Sequence, residues 1–235
     1  MPKKEGKSKQ DDICSEYWLQ QPFLIKEFIE KKPDYEQLGQ EIAYILQTRL
    51  NRDNIAVASI TTRSKTLNSF LEKCTRKKYS NPMEDIEDFS GVRVVCLYAS
   101  DLETVEKVIS DELEVVERED KISNKEVDKF GYNGIHLIAR LGKKNAGTRY
   151  TNLHKLKCEI QIRTVLQDAW AIIDHHLVYK RESDIPEVIQ RKLNRLAASF
   201  ETADDQFDQI RKQREQYIEE ISSAIDSNSL LNARL

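Results

Sequence analysis

The chain has 235 residues, 33% of them charged and 39% hydrophobic, with a net charge of −3. That length accommodates one large domain or a domain with an appendage, and the composition excludes a fibrous or wholly disordered chain. No apolar run approaches the ~18 residues that span a bilayer, and the near-neutral balance gives no global attraction to nucleic acid, although local basic clusters can still bind polyanions.

Residues 1–12 are lysine-rich and polar without an apolar segment behind them, which predicts a disordered arm rather than a secretory leader. Cys14, Cys74, Cys96 and Cys158 form no C-x-x-C pair, as expected of reduced structural thiols in a cytoplasmic protein. From Ile13 to Leu50 apolar residues recur at helical spacing, clearest at Leu38, Ile42, Ile45 and Leu46, and Pro33 divides the stretch into two helices. Asn54 to Ile60 reads as a strand. It leads into Arg63, Lys65, Ser69, Lys73 and Arg76, of which the last three share one face of a helix and the first two sit at its start. Basic and hydroxyl groups at a helix N-terminus suit an anion, although a charge run is ordinarily a solvated face.

Val92 to Tyr98 reads as a strand buried on both faces, interrupted by Arg93 and preceded by Asp88. Taken alone, this stretch favours an Asp88–Arg93 salt bridge; with the basic cluster just before it, a polyphosphate site with a cation at Asp88 is the better reading. Ser100 and Glu103 have the form of a capping box opening a helix with Val105, Val108 and Ile109 inward. A strand around Leu113 to Val116 follows, then a charged, aperiodic Glu117–Lys129 that predicts a mobile loop. Tyr132, between Gly131 and Gly134, is either core or a stacking platform for a base, and His136 lies in the strand that follows.

Leu153 to Thr164 alternates cleanly, with Leu156, Cys158, Ile160 and Ile162 on one side and Lys157, Glu159, Gln161 and Arg163 on the other. Thr164 caps a helix whose buried stripe is Leu166, Ala169, Trp170, Ile173 and Leu177. The adjacent His175 and His176 cannot share a helix face as zinc ligands would. Past Pro186, Ile189, Leu193, Leu196, Phe200, Ala203, Phe207 and Ile210 follow a 4-3 spacing that resumes at Tyr217, Ile221 and Ala224. This heptad seam predicts a long helix packing on a partner helix, in the same chain or in another subunit.

Together the residues Arg63, Lys65, Ser69, Lys73 and Arg76, then Asp88-Phe89-Ser90-Gly91-Val92-Arg93, then Gly131-Tyr132 with His136, then Glu159-Ile160-Gln161-Ile162-Arg163-Thr164 followed by Trp170-Ala171, His175, Tyr179 and Lys180, resemble the synthetase domain of the RelA/SpoT family. The resemblance covers roughly residues 56–180. With no hydrolase domain before it, it is similar to the single-domain small alarmone synthetases. It implies an α+β fold: a nucleotidyltransferase-like mixed β-sheet flanked by helices, with N-terminal helices and a long C-terminal helix. The expected division is a 1–12 arm, a synthetase domain over 13–185 and a helical extension over 186–235.

The resemblance implies a GTP pyrophosphokinase that makes (p)ppGpp by moving the β,γ-pyrophosphate of ATP to the 3′-hydroxyl of GDP or GTP. Arg63 and Arg93 would sandwich the adenine, as planar guanidiniums suit, and Lys65, Ser69, Lys73 and Arg76 would hold the ATP phosphates. Asp88 and Glu159 would bind Mg²⁺, with Glu159 also taking the 3′-hydroxyl proton, and Tyr132, His136 and Gln161 would serve the acceptor nucleotide. Many family members carry an arginine and a serine where this chain has Asn133 and Gly134, and a glutamate where it has Asp174. All three positions lie on the acceptor side. The alternative acceptor is the 3′ end of tRNA, as in toxic relatives restrained by an antitoxin, with Lys77 and Lys78 available to a nucleic-acid backbone. A non-catalytic oligomeric regulatory module is the third reading, opposed by the presence of Asp88, Glu159, Arg63 and Lys65. A homo-oligomer is expected from the seam.

Overall fold

The computed structural model describes residues 17–120, 134–178 and 186–232. The proposed 1–12 arm, most of the proposed 117–129 loop, Cys14, Tyr132, Asn133, Tyr179 and Lys180 lie outside them.

After a helical turn over 17–20 comes α1, Pro22–Arg52, in one piece with Pro33 inside it. The division expected at Pro33 is absent. Proline in a helix interior costs about 3 kcal/mol, but Ile25 and Phe28 before it and Tyr35, Leu38 and Ile42 after it are all buried. Each such side chain contributes ~1.5–3 kcal/mol, so packing on both sides outweighs the lost hydrogen bond. The helix stops where Asn54 takes a left-handed φ of 56° and Ile55 N–H donates to Leu50 O, a Schellman-type ending.

The strands are β1 (Val57–Ser64), β2 (Ser90–Cys96), β3 (Leu113–Asp120), β4 (Ile135–Leu141) and β5 (Cys158–Thr164). They form one mixed sheet in the order β1-β2-β5-β4-β3, with β2 and β5 parallel and the other neighbours antiparallel. Between them lie α2 (Leu67–Arg76), the single turn α3 (Pro82–Asp85) and α4 (Asp101–Glu112); α5 (Val165–Val178) and α6 (Glu187–Asn232) follow β5. The α+β class expected from the resemblance is therefore found.

Strand boundaries moved: β2 lies two residues earlier than the expected 92–98, and β5 starts at Cys158 rather than at Leu153. β1 starts and ends later than the expected 54–60, so Arg63 sits in the strand rather than at the start of α2. β3 runs past Val116 to Asp120, through a bulge between Val115 and Glu117 that lets its charged half stay paired with β4.

Val92, Val94 and Cys96 of β2, Ile160 and Ile162 of β5, and Leu137 and Ala139 of β4 pack under α1 and α4, whose Leu38, Ile42, Leu46, Val105 and Ile109 complete the main core. A second cluster locks α2 to α1 and to the segment before β2 through rings: Phe28 stacks on Phe70 at 4.9 Å and Tyr35 on Phe89 at 4.7 Å. A third joins α5 to α6 through Trp170, Leu193 and Ala197. The expected stripe of α5 is covered only in its first half, since Ile173 and Leu177 are exposed.

The seam of α6 is covered at Leu193, but Ile189, Leu196, Phe207, Ile210, Tyr217 and Ile221 are exposed, so α1 does not cover them. Among the described residues no helix is long and apolar enough to cross a membrane.

Candidate active site

One face of the sheet is helix-covered and apolar; the other carries the polar residues in register. Arg93 on β2 lies opposite Thr61 on β1 and opposite Gln161 on β5, and Gln161 in turn lies opposite His136 on β4. One step along, Gly91 lies between Arg63 and Glu159. Because side chains alternate along a strand, these partners share a face. Arg63, Arg93, Glu159 and Gln161 line a cleft of about 250 Å³ around Gly91, whose missing side chain keeps its floor open.

Asp88 stands in the linker before β2, bonded by Lys65 Nζ at 2.7 Å and Lys73 Nζ at 2.9 Å. Lys65 is fixed there by its own backbone, since its N–H donates to Phe89 O, and Lys73 by the ring cluster that seats α2. Burial pushes the Asp88 carboxyl up, but hydrogen bonds from both lysines outweigh it and hold the pKa below the ordinary carboxylate value. The Asp88–Arg93 salt bridge that the isolated stretch favours is not formed. Arg93 turns instead along the sheet, its Nη1 2.9 Å from Asp168 Oδ1 and its Nη2 3.4 Å from Gln161 Oε1. A carboxylate committed to Lys65, just before α2, and to Lys73, on it, has no need of the arginine on the strand.

Glu159 has His136 Nδ1 at 3.3 Å. Burial pushes the Glu159 carboxyl up, yet the hydrogen bond and charge of His136, helped by Gln161, bring it below its usual value, against an opposing push from Asp88. Asp88 precedes by three residues the Gly91 that lies opposite Glu159, so both carboxylates belong to the same end of the β2–β5 pair. Thr66 caps α2, accepting from Ser69 N–H, and its hydroxyl bonds to the Ser69 hydroxyl. Ser69, Lys73 and Arg76 follow one another on one face of α2, with Ser69 and Arg76 exposed.

The fold therefore brings Lys65, Lys73 and Asp88 into one cluster, Arg63, Arg93, Glu159 and Gln161 into the cleft, and His136 onto Glu159. Ser69 and Arg76 are not among the walls of the cleft and stand exposed on α2. Two charged residues here were not singled out as candidates from the sequence: Asp168 on α5, and Arg163, assigned only to the polar side of β5. The signal was available in the polar alternation that carries Glu159 and Gln161 on to Arg163, but the element supplying its counter-charge was not.

Asp88 and Glu159 are carboxylate oxygen donors of the kind that a hard divalent cation takes. No group of three or more His, Cys, Asp or Glu side chains poised for a metal occurs among the described residues, so such an ion would complete its shell from a ligand's oxygens and water.

The model of the region found in RelA/SpoT proteins matches residues 62–184. The GTP pyrophosphokinase YjbM of Bacillus subtilis (strain 168) is 31% identical over 165 residues, 68% of this chain and 74% of that one. The crystal structure of small alarmone synthetase 1 from Bacillus subtilis superposes with a TM-score of 0.68 at 27% identity, covering 81% of this chain and 98% of its own. The structure of that synthetase bound to its product pppGpp gives a TM-score of 0.68 at 26% identity, over 80% and 98% of the two chains.

Proposed function

The chain belongs to the RelA/SpoT family, and we propose that it is a (p)ppGpp synthetase, a GTP pyrophosphokinase that transfers the β,γ-pyrophosphate of ATP to the 3′-hydroxyl of GDP or GTP. The observation that carries this reading is the double lysine clamp on Asp88 beside a cleft walled by two arginines and Glu159. Asp88 offsets one of the two lysine charges, so the cluster keeps a net positive charge. Lys65 and Lys73 would release Asp88 to bind a polyphosphate, and Asp88 would then be free to hold a cation bound with it.

In the reaction the acceptor 3′-oxygen attacks the β-phosphorus of ATP, the bond between the β-phosphorus and the bridging oxygen on the α-phosphate breaks, and AMP leaves with that oxygen. Glu159 accepts the 3′-hydroxyl proton, a role for which a carboxylate kept ionised by His136 is suited. Lys65 and Lys73 hold the phosphates, with Ser69 and Arg76 extending that grip along α2. Arg93, held in plane by Asp168 and Gln161, offers its face to the adenine, and Arg63 covers the other side. Asp88 and Glu159 would hold Mg²⁺, which would supply charge neutralisation on the transferred group. Positioning and charge stabilisation suffice for chemistry of this type. Tyr132 stacks on the acceptor base and His136 and Gln161 orient it.

The enzyme works in the cytoplasm, where its free, buried Cys74, Cys96 and Cys158 stay reduced; burial pushes the Cys96 and Cys158 thiols up to about 12, which makes them inert. It assembles as a homo-oligomer through the exposed seam of α6. Incubation with γ-labelled ATP and GDP, GTP or deacylated tRNA tests the reading. Label on the guanine nucleotide supports it. Label on tRNA alone gives the acceptor to the tRNA 3′ end, with an antitoxin then to be sought, and label on neither defeats it.

A further inference from the structure

Asp168 occupies the first turn of α5, and the start of that helix is fixed to the end of β5. Thr164 N–H donates to Gln167 Oε1 and Gln167 N–H to Thr164 Oγ1, both at 3.0 Å, a reciprocal capping box. Asp168 Oδ1 is thereby held 2.9 Å from Arg93 Nη1 and 3.7 Å from Arg163 Nη1. Arg163 is buried, and its Nη2 lies 3.4 Å from His136 Nε2, while the other nitrogen of that ring faces Glu159.

A contiguous path thus runs from the arginine of the cleft through one carboxylate to Arg163, His136 and Glu159. Two guanidiniums converging on a partly desolvated sheet face repel each other. Burial lowers the Arg163 pKa and the Arg93 charge lowers it further, while Asp168 opposes both. The backbone opposite makes room for this arginine: a Cβ on Gly134 would lie 2.7 Å from Arg163 Cγ and 2.0 Å from Ile162 O.

We propose that Asp168 is a positioning residue, one carboxylate that sets Arg93 for the donor nucleotide and holds Arg163 beside the His136–Glu159 pair. The inference rests on the synthetase reading for what Arg93 does, and on the distances above for what Asp168 does. Without the Asp168 charge, Arg93 keeps only its long bond to Gln161 and is repelled by Arg163. It then leaves the plane in which it meets the base.

The test is a double-mutant cycle on pyrophosphate transfer, with KM for ATP and for the acceptor measured separately on wild type, Asp168→Asn, Arg93→Gln and the double variant. Asp168→Asn is expected to raise the ATP KM about tenfold with the acceptor KM within about twofold, and adding it to Arg93→Gln should change the ATP KM by less than about twofold. A folded Asp168→Asn with a wild-type ATP KM, or effects that multiply in the double variant, overturns the proposal, because a merely structural role adds independently. Should Asp168→Asn fail to fold, Asp168→Glu keeps the charge but displaces it by one methylene, and the same cycle applies to it. A wild type that transfers nothing defeats the synthetase reading instead; calorimetric ATP titration of the same four proteins then decides the positioning role, with the same non-additivity expected.

Discussion

Ser100 is bonded to Asp208, 108 residues later, through both its backbone N–H at 3.0 Å and its hydroxyl at 2.6 Å. The capping box expected from Ser100 and Glu103 is not formed; a carboxylate from α6 supplies an acceptor at the N-terminus of α4 instead. Arg211, one turn on, bonds Asp101 at 2.7 Å and lies 4.6 Å over the Tyr98 ring. The C-terminal helix is thus pinned to the domain by charge beyond its small apolar contact at Trp170. Asp208→Ala should cost about 1–2 kcal/mol, the range of a lost cap with a helix-dipole contribution. Urea unfolding together with hydrogen exchange over residues 101–105 reads it, and unchanged exchange there would mean that the pinning is elsewhere.

Asp88→Asn and Glu159→Gln should each reduce labelled pyrophosphate transfer at least ~100-fold while the protein stays folded, since each removes a charge from the proposed cation site at nearly constant volume. The two differ in a second respect. Asp88→Asn leaves Lys65 and Lys73 without their shared acid, so ATP should still bind, whereas wild-type-like turnover in either variant removes the cation assignment.

What was legible in the sequence follows from range. The alternation at Cys158–Arg163 and the apolar run after Gly91 are local patterns, and both strands are found with their polar residues on the cleft face. Lys65, Lys73 and Asp88 were legible because their order and spacing resemble a family, and the fold does bring them together. Pro33 misled because local propensity says nothing about Phe28 and Tyr35 burying both sides of it. Taken alone, the stretch around Arg93 offered only the nearby acid Asp88 as its partner, whereas the observed partner Asp168 arrives from a helix 75 residues on. A long-range pairing of this kind leaves no periodicity to read, and the replacement of Glu103 by Asp208 at the start of α4 has the same cause.

Asp204 should give the protein a pH-dependent stability of identifiable sign. The carboxylate is buried on α6 and accepts from Thr164 Oγ1 at 2.6 Å. Burial, with the charges of Asp208 and Asp205, raises its pKa from 3.8 to about 7. The folded chain therefore retains a proton that the unfolded chain releases, so this contribution is full below about pH 4 and is lost as pH rises to about 7. Asp204→Asn should flatten that component and be the more stable protein at pH 8 by roughly 2–4 kcal/mol. Because other carboxylates titrate in the opposite sense, the diagnostic is the difference between the two proteins at pH 4 and pH 8. An equal difference at both would show that Asp204 titrates alike in the folded and unfolded chains.

The exposed face of α6 should be buried between copies of the chain. A helix of 46 residues is about 70 Å long at 1.5 Å per residue, far more than the contact with α5 at Leu193, Ala197 and Phe200 can cover. Beyond it, Ile210 is 59% exposed, Tyr217 64% and Ile221 42%, all on the 4-3 seam, and leaving such a stripe in water forgoes ~25 cal/mol per Å² of apolar surface. Phe200 meets Trp170 edge-on at 6.0 Å, so altering it would injure the subunit itself. Phe207→Glu with Ile221→Glu instead strikes the free part of the seam. Light scattering should find the wild type oligomeric and this variant dissociated but folded, with an unchanged near-ultraviolet spectrum from Trp170. A monomeric wild type would refute the assembly, and an oligomer that survives both substitutions would place the interface on another face.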